Sequence, residues 1–144
     1  MSWPVFQEYW NQRARERASG NDKSGTFLIE TIGDGKKLVG AISYFYPFRF
    51  HYSCLEIGYR ITEPAERRKG YASEAVKLIV DYLFLTKGIN RIQAHAVTEN
   101  VGSVKVLEKN GFQREGVVRE LMFIQGKFWD FDAFALLRRE WKRP

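Results

Sequence analysis

Cysteine is nearly absent from this sequence, which holds one in 144 residues, and histidine is scarce at two. A lone Cys54 forms no intrachain disulfide, so the fold must stand on its core, and a reducing compartment, the cytoplasm, is its natural home. Cys54 itself reads as a small buried strand residue, as free cysteine usually is. No apolar run is long enough to span a bilayer, and "MSWPVFQEYWNQRARER" lacks the apolar stretch of a secretory leader, so no membrane role is expected. Internal repeats and low-complexity tracts are also missing. These absences leave one globular domain over residues 1–144, a length that suits a single core.

What is present is positive charge. Lys and Arg number 23 against 17 Asp and Glu, a net of +6. An anionic partner follows, and nucleic acid, an acidic membrane surface and a phosphorylated cofactor all qualify on charge alone.

Hydrophobic spacing divides the chain into elements. Ser2 and Pro4 open a helix over residues 3–18 with an aromatic face, and "SGND" ends it. "TFLIETI" alternates as a half-buried strand, "GDGKK" is a hairpin turn, and "KLVGAISYFY" is the partner strand. After "PFRFH" a third strand, "YSCLEIGYRI", carries Gly58, whose place suggests a bulge or a close backbone approach. Ala72, Ala75, Val76, Ile79, Val80, Leu83 and Phe84 fall at helical spacing, with Gly88 as the C-terminal cap. Next come the strand "NRIQAHAV", the helix "NVGSVKVLEKN" stopped by Gly111, and a hairpin of "FQREGVVRELMFI" and "FWDFDAFALL" across "QGK". The order implies a mixed sheet with helices packed on it.

One stretch asks for more than a solvated charge run. In "AERRKGYASEA" three cations meet a glycine, and a helix begins at once. A helix N-terminus offers unpaired N–H groups and the positive end of its dipole. Gly70 lets a ligand approach the backbone, Ala72 keeps the first turn narrow, and Arg67, Arg68 and Lys69 neutralise phosphate charge at the rim. Neither a P-loop nor a Rossmann fingerprint is present.

The stretch Arg67-Arg68-Lys69-Gly70-Tyr71-Ala72 resembles the pantetheine-phosphate motif Arg/Gln-x-x-Gly-x-Gly/Ala of the GCN5-related N-acetyltransferases (GNAT). "EIGYRI", "ENVGSVKVLEKNGFQREGVVRE" and "GKFWDFDAFALLRREW" resemble the branch containing the ribosomal-protein N-terminal acetyltransferases, and the likeness runs over residues 27–141. It implies an α/β (α+β) fold, a mostly antiparallel twisted sheet with helices on both faces, and acetyl-CoA as co-substrate with no metal. The strand of Tyr59, Arg60 and Ile61 would pair with the pantetheine arm, and "NRIQAHAV" would splay away to open its slot. A backbone N–H near Gly58 or Tyr59 would polarise the thioester. N–H groups from Arg68 to Ala72 would hold the pyrophosphate, and Asn100 the pantetheine from the opposite side.

The implied reaction is direct attack of an amine on the thioester, which needs one proton removed from nitrogen and one given to sulfur. Many relatives supply the second from a tyrosine at a position that is Leu107 here. The ribosomal branch has a serine where Ser103 stands, so Ser103 is the expected acid, unless it only serves the helix start. The branch's carboxylate position is Met122. Glu120, two residues earlier on what alternation makes the same strand face, is the candidate base beside the reading of an ordinary solvated glutamate. His95 alternates opposite Ala94 and Ala96 and reads as structural. Trp3, Trp10, Trp129 and Trp141 read as core or interface aromatics.

The likeness departs at the start, where no strand precedes the first expected helix. The "TFLIETI" edge would then invite a second subunit, a homo-oligomer. The leading function is N-acetyl transfer to a protein N-terminus or a small amine. A non-catalytic CoA-binding module is favoured if Ser103 and Glu120 do not converge. A nucleic-acid binder would need a continuous basic face, whereas "NQRARER" and "RRK" are two scattered clusters.

Overall fold

A computed structural model describes residues 24–48 and 53–144; the helix expected over residues 3–18 lies outside them. Among the described residues six strands form one sheet: β1 (Ser24–Glu30), β2 (Leu38–Phe45), β3 (Cys54–Ile61), β4 (Arg91–Val97), β5 (Gln113–Ile124) and β6 (Lys127–Leu137). Helix α1 (Tyr71–Thr86) joins β3 to β4, and α2 (Val101–Lys109) follows β4. The strand order is β1-β2-β3-β4-β6-β5, and every neighbouring pair is antiparallel except β3 with β4.

The core forms because two periodicities meet. Helix α1 repeats Ala75, Val76, Ile79, Val80, Leu83 and Phe84 along one stripe, all buried. The sheet offers Ile42, Leu55, Ile57, Ile92, Ala94 and Phe134 from alternate strand positions, and Leu107 of α2 closes the same cluster. Burying a Leu, Val or Phe of this kind contributes about 1.5–3 kcal/mol. Both described helices therefore share one sheet face. Trp141 packs on Phe84 with ring centroids 5.2 Å apart, and its indole N–H donates to Asp81 at 2.8 Å.

Two local expectations need correction. Gly58 makes no bulge: β2 and β3 stay in register from Gly40–Ile61 to Phe45–Glu56, and a Cβ at Gly58 would sit 3.7 Å from Ser43 Oγ. The close backbone approach is at Gly40, where a Cβ would collide with the carbonyl oxygen of Arg60. Gly88 is no left-handed cap; α1 ends at Lys87 in extended conformation, its N–H donating to Leu83 at 2.9 Å. Gly111 does end α2 with a φ of 83°, in the manner expected.

At the other limit of the sheet, β1 stops at Glu30 because Thr31 already closes the turn, exchanging hydrogen bonds with Lys37 at 2.9 and 3.0 Å. Among the described residues this strand is the sheet edge, and Phe27 and Leu28 on it are exposed. A groove of about 680 Å³ runs between β1 and α1, lined by residues such as Phe27, Ile29, Leu78 and Tyr82. No described helix is long and apolar enough to cross a membrane.

Candidate active site

Strands β3 and β4 pair at only three positions, Cys54–Arg91, Leu55–Ile92 and Glu56–Gln93. Beyond them β3 stays with β2 as far as Ile61, and β4 stays with β6 as far as Val97. The sheet therefore opens into a wedge past Glu56. Ile57 to Ile61 of β3 have no β4 residue beside them, so this backbone edge is offered to an extended ligand. Tyr59, Arg60 and Ile61 all lie on it.

On the helix face of the wedge, two hydroxyls meet. Tyr59 Oη lies 2.9 Å from Ser103 Oγ and donates to the Ser103 carbonyl at 3.2 Å. Burial pushes the Tyr59 phenol up to about 12, and the Ser103 hydrogen bond opposes the rise. The phenol is therefore a proton donor, not a phenolate, at neutral pH. Asn100 fixes the serine by capping α2, its Oδ1 accepting from the Ser103 N–H at 3.1 Å. That oxygen is committed to the cap, so a hydrogen bond to pantetheine would come from the amide nitrogen. Leu107 is fully buried in the core and stands nowhere near solvent.

At the wide end of the wedge lies the basic loop. A 3₁₀ turn over Pro64–Glu66 leads into Arg68 and Gly70, both left-handed at φ 63° and 87°, and α1 starts at Tyr71. Left-handed residues in a turn of this kind are the setting in which successive N–H groups can line an anion-binding concavity, a nest. Unlike α2, helix α1 has no side chain capping its first N–H groups. A Cβ at Gly70 would meet nothing within 4 Å, so the space over the loop is open. Of the cations, Lys69 pairs with Glu66 at 3.0 Å and Arg67 Nε donates to the Ile61 carbonyl at 3.3 Å. Glu66 also takes Lys37 at 2.8 Å, and these hydrogen bonds hold its carboxyl below the usual range. Lys69 and Arg67 thus brace the loop, and Ala72 lies in the first turn of α1.

On the opposite face, at the crotch of the wedge, sits a polar cluster that sequence reading missed. Glu56 Oε2 accepts from Gln93 Nε2 at 2.8 Å, and Glu56 Oε1 lies 3.0 Å from His95 Nδ1. Gln93 Oε1 accepts from Arg91 Nε at 3.3 Å, and the Arg91 guanidinium forks onto Glu115. The signal was available: Arg91, Gln93 and His95 alternate with Ile92, Ala94 and Ala96 on a central strand. A central strand with a parallel neighbour is usually apolar on both faces, so a polar stripe there marks a site.

Glu120 is not brought to either group. Val118 faces Phe131 and Met122 faces Trp129, so residues 119–121 bulge out opposite Asp130. Glu120 takes φ 48° there, and its N–H donates to Asp130 Oδ1 at 2.8 Å. The bulge breaks the alternation that would have placed Glu120 and Met122 on one face. Glu120 is exposed, on a strand separated from β4 by β6, roughly 10 Å away by strand spacing. Among the described residues no group of three His, Cys, Asp or Glu side chains is placed to hold a metal.

A sheet with one parallel pair, open beyond that pair and followed by a basic loop and helix, defines the class as an α/β fold split at its centre. The family model for the acetyltransferase (GNAT) domain matches residues 2–113, and the chain belongs to that family. Probable N-acetyltransferase YjcK of Bacillus subtilis is 38% identical over 116 residues, covering 81% of this chain and 63% of that protein. The Escherichia coli ribosomal protein uS5-alanine N-acetyltransferase is 28% identical over 108 residues, 75% of this chain and 55% of that one. Among solved structures, ribosomal-protein-S5-alanine acetyltransferase from Vibrio fischeri superposes with a TM-score of 0.78 at 25% identity, over 94% of this chain and 74% of that chain. The chain thus spans less than two thirds of the length of those two curated relatives.

Proposed function

We propose that this chain transfers an acetyl group from acetyl-CoA to a primary amine, a protein N-terminus or a small amine, by direct attack without a covalent intermediate. The observation that carries the reading is the wedge past Glu56, with a basic loop of left-handed residues at one end and paired hydroxyls on its helix face. The β3 edge from Tyr59 to Ile61 would pair with the pantetheine arm. Backbone N–H groups from Arg68 to Ala72 would hold the pyrophosphate, and Asn100 would add a hydrogen bond across the slot. Ser103, with the Tyr59 phenol behind it, would protonate the departing thiolate. Exposed Phe27 and Leu28 on edge strand β1 support a second copy lying there.

Calorimetric titration with acetyl-CoA, followed by thiol release against N-terminal peptides and polyamines, tests the reading. Binding with turnover on one of them is the expected result. Binding without turnover on any acceptor would leave a CoA-binding module, and no binding would refute the proposal.

A further inference from the structure

The group that removes the proton from the attacking amine has no occupant in the reading above, and the Glu56 cluster is a set of titratable side chains at the wedge, among the described residues, that the reading leaves idle. We propose that His95 takes that proton through Nε2, and that Glu56 is the positioning residue that prepares it. The inference rests on the acetyl-transfer reading.

The argument is one of hydrogen-bond accounting. A carboxylate only accepts, and both Glu56 oxygens are engaged, Oε2 by Gln93 and Oε1 by His95 Nδ1. The Nδ1 facing Oε1 must therefore carry the hydrogen, and in the neutral imidazole this leaves the lone pair on Nε2. Glu56 is thus a poor base itself but sets the tautomer that makes His95 one. Gln93 in turn holds the carboxylate still, being tied through its own oxygen to Arg91. Register places the ring correctly: Glu56–Gln93 is the last β3–β4 pair, and His95 stands two residues further along the diverging strand. Both side chains are about four-fifths buried, shielded but reachable.

The faces are complementary too. Tyr59 and Ser103 lie on the helix side of the sheet, whereas Glu56 and His95 alternate to the other. A thioester lying in the wedge would have its sulfur toward the hydroxyls and its carbonyl carbon open to an amine arriving from the His95 side. The amine nitrogen bonds to that carbon, the C–S bond breaks with its electron pair on sulfur, the nitrogen's proton passes to Nε2, and the sulfur takes a proton from the hydroxyl pair. Solvent then takes the proton from His95 and restores the hydroxyl.

The test compares wild type with His95→Gln and Glu56→Gln in one set of measurements. Acetyl-CoA affinity by calorimetry is expected within about twofold in all three, since the cluster faces away from the nest. His95→Gln is expected to lower kcat by about 10²–10⁴, the usual contribution of a positioned base. In ¹⁵N-edited NMR of the wild-type chain, His95 should show the Nδ1–H tautomer, and Glu56→Gln should scramble it. An Nε2–H tautomer in wild type, or His95→Gln retaining kcat within threefold, would overturn the proposal while leaving acetyl transfer standing. Failure of the wild-type chain to bind acetyl-CoA would overturn both.

Discussion

Gly70 separates folding from binding better than any other position. It sits at φ 87°, ψ −2°, where an L side chain is strained, yet a Cβ there would touch nothing within 4 Å. Gly70→Ala therefore carries the strain alone, about 1–2 kcal/mol for a left-handed alanine. For a chain of this length that lowers the melting temperature by roughly 3–8 °C. Gly70→Glu carries the same strain and adds a carboxylate over the nest. If it lies about 5 Å from a bound phosphate at an effective dielectric near 20, each unit charge costs about 3 kcal/mol. That corresponds to roughly a hundredfold in affinity. Calorimetry on both variants, with thermal melts as control, should show similar melting temperatures and acetyl-CoA affinities about a hundredfold apart. Equal affinities would place the phosphates elsewhere and refute the nest.

Three further outcomes follow from specific contacts. Ser103→Ala should lower turnover about tenfold or more while stability stays near wild type, because the Tyr59 hydroxyl keeps the Ser103 carbonyl as acceptor; a large loss of stability in a melt would make Ser103 structural. Tyr59 has its phenol raised to about 12, so a 295 nm absorbance titration should show one of the seven tyrosines ionising last, and Tyr59→Phe should remove that step. The sign is that of a raised value: the stability owed to neutral Tyr59 is complete below pH 10 and is lost as pH rises toward 12. Gly40→Ala should destabilise the chain by several kcal/mol in urea melts, since its Cβ and the Arg60 carbonyl cannot share the space.

How much of this was legible depended on sequence distance. Helix α1 was readable because its buried residues repeat every three or four positions, and the Asn100 cap and Gly111 stop frame α2 within a dozen residues. The motif around Gly70 was readable for the same reason, since loop, glycine and helix start are contiguous. Tyr59 with Ser103 and Glu56 with His95 were not, being 44 and 39 residues apart. Those contacts follow from the parallel pairing of β3 with β4 and from β6 entering between β4 and β5, which no local pattern encodes. The expectation that Glu120 and Met122 share a strand face failed differently: alternation was counted through residues 119–121, and a bulge ends the count.

The position of Leu107 shows why the paired hydroxyls matter to the whole arrangement. With a buried leucine where many relatives carry a tyrosine, α2 presents Ser103 of its first turn to the Tyr59 phenol. A phenol is nonetheless present, delivered from β3 by Tyr59 and held within 2.9 Å of the serine. Because Tyr59 belongs to the same strand as Glu56, one β-strand alternation sends the proton donor to the helix face and the carboxylate to the other. Both can act on one ligand only where β3 has lost its β4 neighbour, which is the stretch beginning at Ile57. The point where the sheet opens thus decides which of these side chains can face one ligand, and Glu120 lies two strands away on an exposed bulge.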